Sequence, residues 1–177
     1  PYIQGKLNKE TAYLFDLFHM TLPKIATSFP AWTRVCLVDH NEEFQTLDNL
    51  CELDVAWVID HHKLNFSTST PLNMRVEPIC STGSILYKMY QEAWFEISQH
   101  IAKLMLACVL SDSLLFKSAT TTKEDIIIAE ALKKISGIND MENFAMAMFD
   151  AKSDLWDMPI EQVIKYDYKE FDFHHLN

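Results

Sequence analysis

The chain has 177 residues, of which 49% are hydrophobic and 23% are charged, so it can bury a core and is not disordered as a whole. Its 25 acidic residues outnumber its 15 basic residues, and the resulting net charge of -10 disfavours binding to the phosphate backbone of a nucleic acid. The longest apolar stretch, residues 101–116, is interrupted by polar residues and is too short to cross a bilayer, so no membrane partner is expected.

Helical periodicity comes first along the chain, at residues 9–18, where apolar side chains recur at the spacing of one helix face before Pro23. Two apolar runs follow, at residues 34–39 and 54–60, and both are rich in β-branched residues and closed by Asp-His. Runs of this length are typical of strands that are buried on both faces of a parallel sheet. Residues 73–77 form a third candidate strand.

Two helices are predicted next. Residues 81–84 form a small polar cluster that is typical of a helix N-cap, and the helix is expected to run to about residue 94. The start of such a helix is also a candidate anion site. The segment at residues 98–112 is apolar nearly all round, which predicts a buried helix.

The last helices are predicted from their end signals and their periodicity. Thr122 and Asp125 have the spacing of a capping box, and Gly137 fits the left-handed residue that ends a helix. Weaker helical patterns occur at residues 141–149 and 159–165. Because strands alternate with helices, the sequence predicts an α/β fold with a parallel β-sheet flanked by helices.

Side chains that can bind a metal follow two of the predicted strands. Asp39 and His40 follow the first strand, and Asp60, His61 and His62 close the second. Since ligands gather at the carboxyl ends of strands in an open parallel sheet, we expect these side chains to share one edge. Mixed carboxylate and histidine ligands suit manganese, cobalt, iron or zinc. Two such ions a few Å apart can activate a water molecule and neutralise the charge of a phosphate.

Asp112 gives a separate argument for a cation, because it lies between apolar segments where an unpaired carboxylate is costly to bury. Asp112 could instead cap the next segment or accept backbone hydrogen bonds, and Asp39 could be a turn former. The Asp-His-His motif is the stronger signal, since adjacent histidines directly after a buried strand are uncommon. The remaining histidines have no partner pattern and are predicted to be surface or tail residues: His19, His100, His174 and His175.

Three motifs match a known family in order and spacing. They are Val-Asp-His-Asn-Glu at residues 38–42, Val-Ile-Asp-His-His-Lys at residues 58–63 and Leu-Ser-Asp-Ser-Leu-Leu-Phe-Lys-Ser at residues 110–118. With them the chain resembles the DHH phosphoesterase superfamily and, within it, the manganese-dependent family II inorganic pyrophosphatases. The likeness extends over nearly the whole chain.

The resemblance implies a dimetal hydrolase that splits inorganic pyrophosphate into two phosphates. The implied cofactor is Mn²⁺, with two ions in an intact site and with Co²⁺ or Mg²⁺ as alternatives. By similarity, Asp39 bridges both metals, and His61 and Asp112 complete the shell of the second metal. A water molecule between the two cations is then implied to attack one phosphorus in line.

Further roles are implied for residues that flank these ligands. His62 is implied to be catalytic together with Asp39, because it would orient the substrate or stabilise the departing phosphate. Asp60 and His40 are implied to support the ligands, and Asp60 would do so through hydrogen bonds to the histidine pair.

The family also has features that this sequence does not match. Its first strand carries a His-x-Asn-Pro-Asp-x-Asp motif with ligands of the first metal, and nothing before Asn8 corresponds to it. Cys80 and Ala119 stand where the family usually has Gly and Pro. Residues 1–150 are therefore expected to be part of a DHH catalytic domain, and residues 151–177 a linker and the start of a C-terminal domain that the chain lacks.

Three functions are compatible with the sequence. The leading one is pyrophosphate hydrolysis by a fragment of an intracellular family II enzyme, and the second is another DHH phosphoesterase, such as an exopolyphosphatase or an enzyme acting on short nucleotides. The third is a non-catalytic, metal-binding descendant. The expected partner is pyrophosphate, and a second copy of the chain is a further candidate. Four scattered cysteines without a Cys-x-x-Cys pair predict a reduced, cytoplasmic protein with buried thiols.

Overall fold

The computed structural model describes residues 1–42, 45–68 and 70–153. The strands are β1 (Tyr2–Ile3), β2 (Lys24–Ile25), β3 (Arg34–Val38), β4 (Asp54–Asp60) and β5 (Asn73–Val76). The helices are α1 (Lys9–Leu17), α2 (Thr82–Glu92), α3 (Gln99–Asp112), α4 (Lys123–Ser136) and α5 (Met141–Ser153). The helix expected at residues 159–165 lies outside the described residues. No helix in the described part of the chain is long and apolar enough to cross a membrane.

The strands form parallel sheets, as the sequence predicts. β3, β4 and β5 make a three-stranded sheet in that order, with Val38 opposite Ile59 and Asp60 opposite Val76. β1 and β2 pair separately, also in parallel, and no sequence pattern predicted these two-residue strands. The α/β fold with a parallel sheet flanked by helices is therefore confirmed.

The expectation that both first strands are buried on both faces is wrong for β3. Only Leu37 is buried in that strand, and Val38 is 41% exposed. Helix α2 contacts the sheet at β4, where Ile59 joins the core formed with the helices. Val58 is buried in a separate cluster with Leu37 and Val55. The apolar run at residues 34–39 therefore predicted a strand correctly, but it did not show whether other elements cover the two faces of that strand.

The helix ends follow the local signals in the sequence. Ser81 accepts a hydrogen bond from the backbone of Gly83 and caps α2, and Ser98 caps α3 in the same way. Thr122 and Asp125 form the expected capping box of α4, which ends at Gly137 with a left-handed φ of 75°. These boundaries agree with the predicted ones to within two residues.

Helix α3 is the centre of the helical layer, where it packs against α2, α4 and α5. Its buried residues include Ala102, Leu106 and Val109, so the prediction of a buried helix is confirmed. Helices α2 and α3 approach closely at Gly83, where an added Cβ would lie 3.0 Å from the Cβ of Cys108. This packing holds the first turn of α2 against α3.

The expectation of buried thiols is wrong for three of the four cysteines. Cys80 is buried, but Cys36, Cys51 and Cys108 are exposed, and all four are free. Cys36 lies on the same face of β3 as Arg34 and Val38, which are also exposed. The sequence could not show which apolar runs are covered.

Candidate metal centre

The site is built at the carboxyl ends of β3 and β4. Asp39 directly follows β3, and its backbone N–H donates to the carbonyl of Ile59 at 2.9 Å, so the ladder between the strands continues to the site. The φ of Asp39 is 67°, a left-handed value that Asp tolerates better than most residues do. Asp60 ends β4, and His61 and His62 follow it.

Three side chains form a potential ligand cluster, namely Asp39, His61 and His62. One donor atom from each lies within 4.8 Å of the donor atoms of the other two. His61 Nε2 lies 3.7 Å from Asp39 Oδ1. The side chains of Asp39 and His62 are 59% and 54% exposed, so the cluster is open to solvent and to a ligand.

The ring of His61 is oriented by the main chain. Its Nδ1 lies 3.1 Å from the carbonyl oxygen of Ile79, and since a carbonyl only accepts, Nδ1 carries the proton. In the neutral ring, Nε2 then has no proton, and its lone pair lies on the side of Asp39. Neutral imidazole with a hydrogen bond from its other nitrogen is the form in which histidine binds metals.

Asp60 is buried beneath the cluster and accepts hydrogen bonds from both histidines. Its Oδ1 accepts hydrogen bonds from the backbone N–H of His61 at 2.8 Å, from that of His62 at 3.2 Å and from His62 Nδ1 at 2.8 Å. Burial alone would raise the pKa of Asp60, but these bonds and one from Asn41 hold it below its usual value. Asp60 is therefore a buried, charged anchor for the pair.

Asn41 is a site residue that the sequence reasoning missed. It is 1% exposed, and its Nδ2 donates to Asp60 Oδ2 at 2.6 Å and to the carbonyl of Lys63 at 3.0 Å. Its Oδ1 accepts from the backbone N–H of Asn65 at 2.7 Å. Asn41 thus ties the loop after β3 to the loop after β4. An amide directly after Asp39-His40 was the only signal of this role in the sequence.

Asp112, at the end of α3, lies near the cluster but is not one of its three members. Desolvation raises the pKa of Asp112 and is opposed by a hydrogen bond from Ser81. The charge of Asp39 raises this pKa further, whereas His61 and His62 lower it. These interactions place the carboxylate within electrostatic reach of the other three side chains.

His40 lies away from the cluster. Its Nδ1 donates to the carbonyl of Val38 at 3.0 Å, whereas its Nε2 is buried and has no hydrogen-bond partner among the described residues. The ring lines a cavity of about 280 Å³ between β1 and β3, together with Tyr2 and Thr46. Of the five side chains expected to share this edge, the structure brings Asp39, His61 and His62 together, with Asp60 as their support, whereas His40 lines another cavity.

Comparison with known proteins gives a consistent set of similarities. A family model described as the N-terminal domain of the DHH family matches residues 4–111. A protein of Deinococcus radiodurans named "Probable manganese-dependent inorganic pyrophosphatase" is 46% identical over 173 residues, and one of Staphylococcus saprophyticus with the same name is 42% identical over 171 residues. These matches cover 97% and 96% of this chain, and the chain spans about 55% of the length of each relative.

The fold is similar to that of a solved structure. The crystal structure of a "putative family II inorganic pyrophosphatase" from Methanococcus jannaschii superimposes with a TM-score of 0.89 at 33% sequence identity. The superposition covers 98% of this chain and 60% of that one.

Proposed function

Because the chain belongs to the DHH family, we propose that it serves the hydrolysis of inorganic pyrophosphate to two phosphates with manganese as cofactor. The observation that carries the proposal is the cluster of Asp39, His61 and His62 at the carboxyl ends of two parallel strands. The names of the relatives support the substrate and the metal. Since the chain spans about 55% of those relatives, the activity of the whole protein is part of the proposal.

The donor set fits a divalent cation such as Mn²⁺. Asp39 offers a carboxylate, His61 in its neutral form offers the lone pair of Nε2 at 3.7 Å from that carboxylate, and Asp112 adds a second carboxylate nearby. We propose that these three residues hold the metal, with two ions in the intact site and with Co²⁺ or Mg²⁺ as alternatives. When bound, the metal supplies positive charge that neutralises phosphate oxygens and lowers the pKa of a water molecule.

The remaining residues position the substrate. Asp60 accepts the Nδ1–H of His62 and so directs the Nε2 of this half-exposed ring away from the protein. When it carries a proton, that Nε2 donates a hydrogen bond to a phosphate oxygen and stabilises the phosphate that leaves. Asn41 and Asp60 connect the loop after β3 to the loop after β4, which holds Asp39 near the histidine pair.

The setting of the reaction is also a proposal. Residues 1–150 are proposed as catalytic-domain residues and residues 151–177 as a linker to a C-terminal domain; most of the latter lie outside the described residues. The four free cysteines support a reducing compartment such as the cytoplasm.

A homodimer is proposed as the assembly, since β5 is an outer strand among the described ones and its free edge can pair with a second copy. The acidic charge argues against nucleic acid as a partner.

The test is phosphate release from pyrophosphate by the 177-residue protein with added Mn²⁺. Asp39→Asn should abolish the release and weaken Mn²⁺ binding in calorimetry, because it removes a charged ligand. Asp16→Asn, on the exposed surface of α1, makes the same chemical change away from the site and should leave both unchanged.

Three results would contradict the proposal. Equal Mn²⁺ affinity in the Asp39→Asn and Asp16→Asn proteins would exclude Asp39 as a ligand of the metal. Release from polyphosphate or dinucleotides, but not from pyrophosphate, would assign the chain to another DHH phosphoesterase. Mn²⁺ binding without release from any of these substrates would favour the non-catalytic reading.

A further inference from the structure

We propose that Asp125 is a positioning residue for the candidate metal centre, an inference that rests on the function proposed above. Asp125 lies in the first turn of α4 and has no hydrogen bond to the ligand cluster among the described residues. It acts through the loop before α2, which contacts both His61 and Asp112.

The Asp125 carboxylate is buried and receives hydrogen bonds from two directions. From the loop before α2 and the first turn of that helix, Cys80 donates its backbone N–H to Oδ2 at 3.2 Å, and Ser84 donates its hydroxyl to Oδ1 at 2.6 Å. From the start of α4, Thr122 donates its hydroxyl at 2.7 Å and its backbone N–H at 2.9 Å to Oδ2. Burial would raise the pKa of Asp125, but these bonds hold it below its usual value, so the residue is charged.

The anchored loop carries one group for each of two proposed ligands. The carbonyl of Ile79 accepts the proton of His61 Nδ1, and the hydroxyl of Ser81 donates to the Asp112 carboxylate. The backbone N–H of Cys80, between these two residues, is the group that Asp125 holds. A displacement of Cys80 therefore moves the supports of His61 and Asp112 together.

Helix capping alone does not account for these contacts. The side chains of Asn8 and Ser98 cap other helices and bond to backbone groups three residues away. Asp125 also makes the local capping bonds to Thr122, but its bonds to Cys80 and Ser84 span 45 and 41 residues of the chain. The long-range pair is the part that the metal centre requires.

Two variants of the 177-residue protein separate positioning from capping. Asp125→Asn weakens the capping box and the bonds to the loop, whereas Thr122→Ala weakens the capping box and leaves the bonds to Cys80 and Ser84. Mn²⁺ affinity should fall about tenfold to a hundredfold in Asp125→Asn, the effect of losing an outer support of a ligand, and stay unchanged in Thr122→Ala. In the metal-free proteins, ¹⁵N NMR should show His61 as a single Nδ1–H tautomer in the parent and in Thr122→Ala, but as a mixture in Asp125→Asn.

The outcomes are distinct from those for the proposed function. A parent protein that does not bind Mn²⁺ overturns the metal site, while the tautomer of His61 still decides the role of Asp125. An unchanged His61 tautomer in a folded Asp125→Asn protein overturns the positioning role. If Asp125→Asn does not fold, Ser84→Ala removes one long-range bond, and an unchanged tautomer there overturns the inference in the same way.

Discussion

Adjacent histidines in the site depend on two different kinds of acceptor. His61 donates to a neutral backbone carbonyl and is largely buried, whereas His62 donates to the charged carboxylate of Asp60 and is half-exposed. A charged acceptor holds its donor more strongly than a neutral one does. His62 therefore owes its orientation mainly to Asp60, and His61 owes its own to the position of Ile79.

Replacing Asp60 with Asn should lower the free energy of unfolding by about 3 kcal/mol at neutral pH, because buried donors lose a charged acceptor. The folded-state pKa of Asp60 lies below the ordinary value of 3.8. The stabilisation is therefore fully present above pH 3.8 and is lost as the pH falls through the folded-state pKa. Urea unfolding measures the free energy of unfolding of the parent and of Asp60→Asn. The difference between the two values should become smaller as the pH is lowered into the acid range.

Asp54→Asn is the matched control for this prediction. Asp54 begins the same strand, is only half-buried and lies 3.8 Å from an exposed Arg34. Exposed ion pairs contribute little to stability, so this variant should have the same free energy of unfolding as the parent at neutral pH and in acid. A difference between parent and Asp60→Asn that stays constant down to strong acid would exclude a charged Asp60 in the folded protein.

At the scale of elements, short-range signals determine where helices begin and end, and packing determines how close they come. The caps at Ser81, Ser98 and Thr122 and the left-handed Gly137 were predictable because each motif lies within a few residues of sequence. The pairing of β1 with β2 was not, because strands of two residues acquire their structure from a distant partner. The exposure of β3 was missed for a related reason, since a sequence run does not show what covers it.

Gly83→Ala should destabilise the fold by about 1 to 3 kcal/mol, although Ala normally favours a helix over Gly. The added Cβ would lie 3.0 Å from the Cβ of Cys108 and 3.0 Å from the carbonyl oxygen of Met105. Neither atom is the end of a flexible side chain, so α2 and α3 must separate. Thermal unfolding measures the effect.

Gly5→Ala provides the comparison, since nothing lies within 4 Å of the added Cβ at that position. That variant should unfold at the temperature of the parent. If Gly83→Ala unfolds at the same temperature as Gly5→Ala, helices α2 and α3 can accommodate the added methyl group without a loss of stability.

At the scale of the whole molecule, the net charge of -10 attracts every divalent cation, not only those at a built site. Diffuse attraction of this kind is screened by salt, whereas the proposed ligation by Asp39 and His61 is short-range. Calorimetry in low and high concentrations of a monovalent salt should therefore separate the two contributions. In high salt, saturable Mn²⁺ binding should persist in the parent protein and be absent from Asp39→Asn. Loss of all binding in high salt would mean that only diffuse attraction was present.

The molecule as a whole also explains which parts of the site were predictable. Strand order placed Asp39 beside the Asp-His-His motif, because the carboxyl ends of neighbouring parallel strands meet. His40 follows Asp39 immediately, yet the turn directs it into another cavity, and no periodic pattern covers a turn. Asn41 and Asp125 act through contacts with distant parts of the chain, so their roles needed three-dimensional structure.

The left-handed backbone of Asp39 has a consequence for how the sequence can change over time. Such a conformation costs on the order of 1 kcal/mol, and the carboxylate also repels the one on Asp112. Glycine at this position would relieve both costs, so selection for a stable fold alone would replace the aspartate. A lineage that no longer needed the metal would therefore be expected to lose this residue early, and gain stability as it did so.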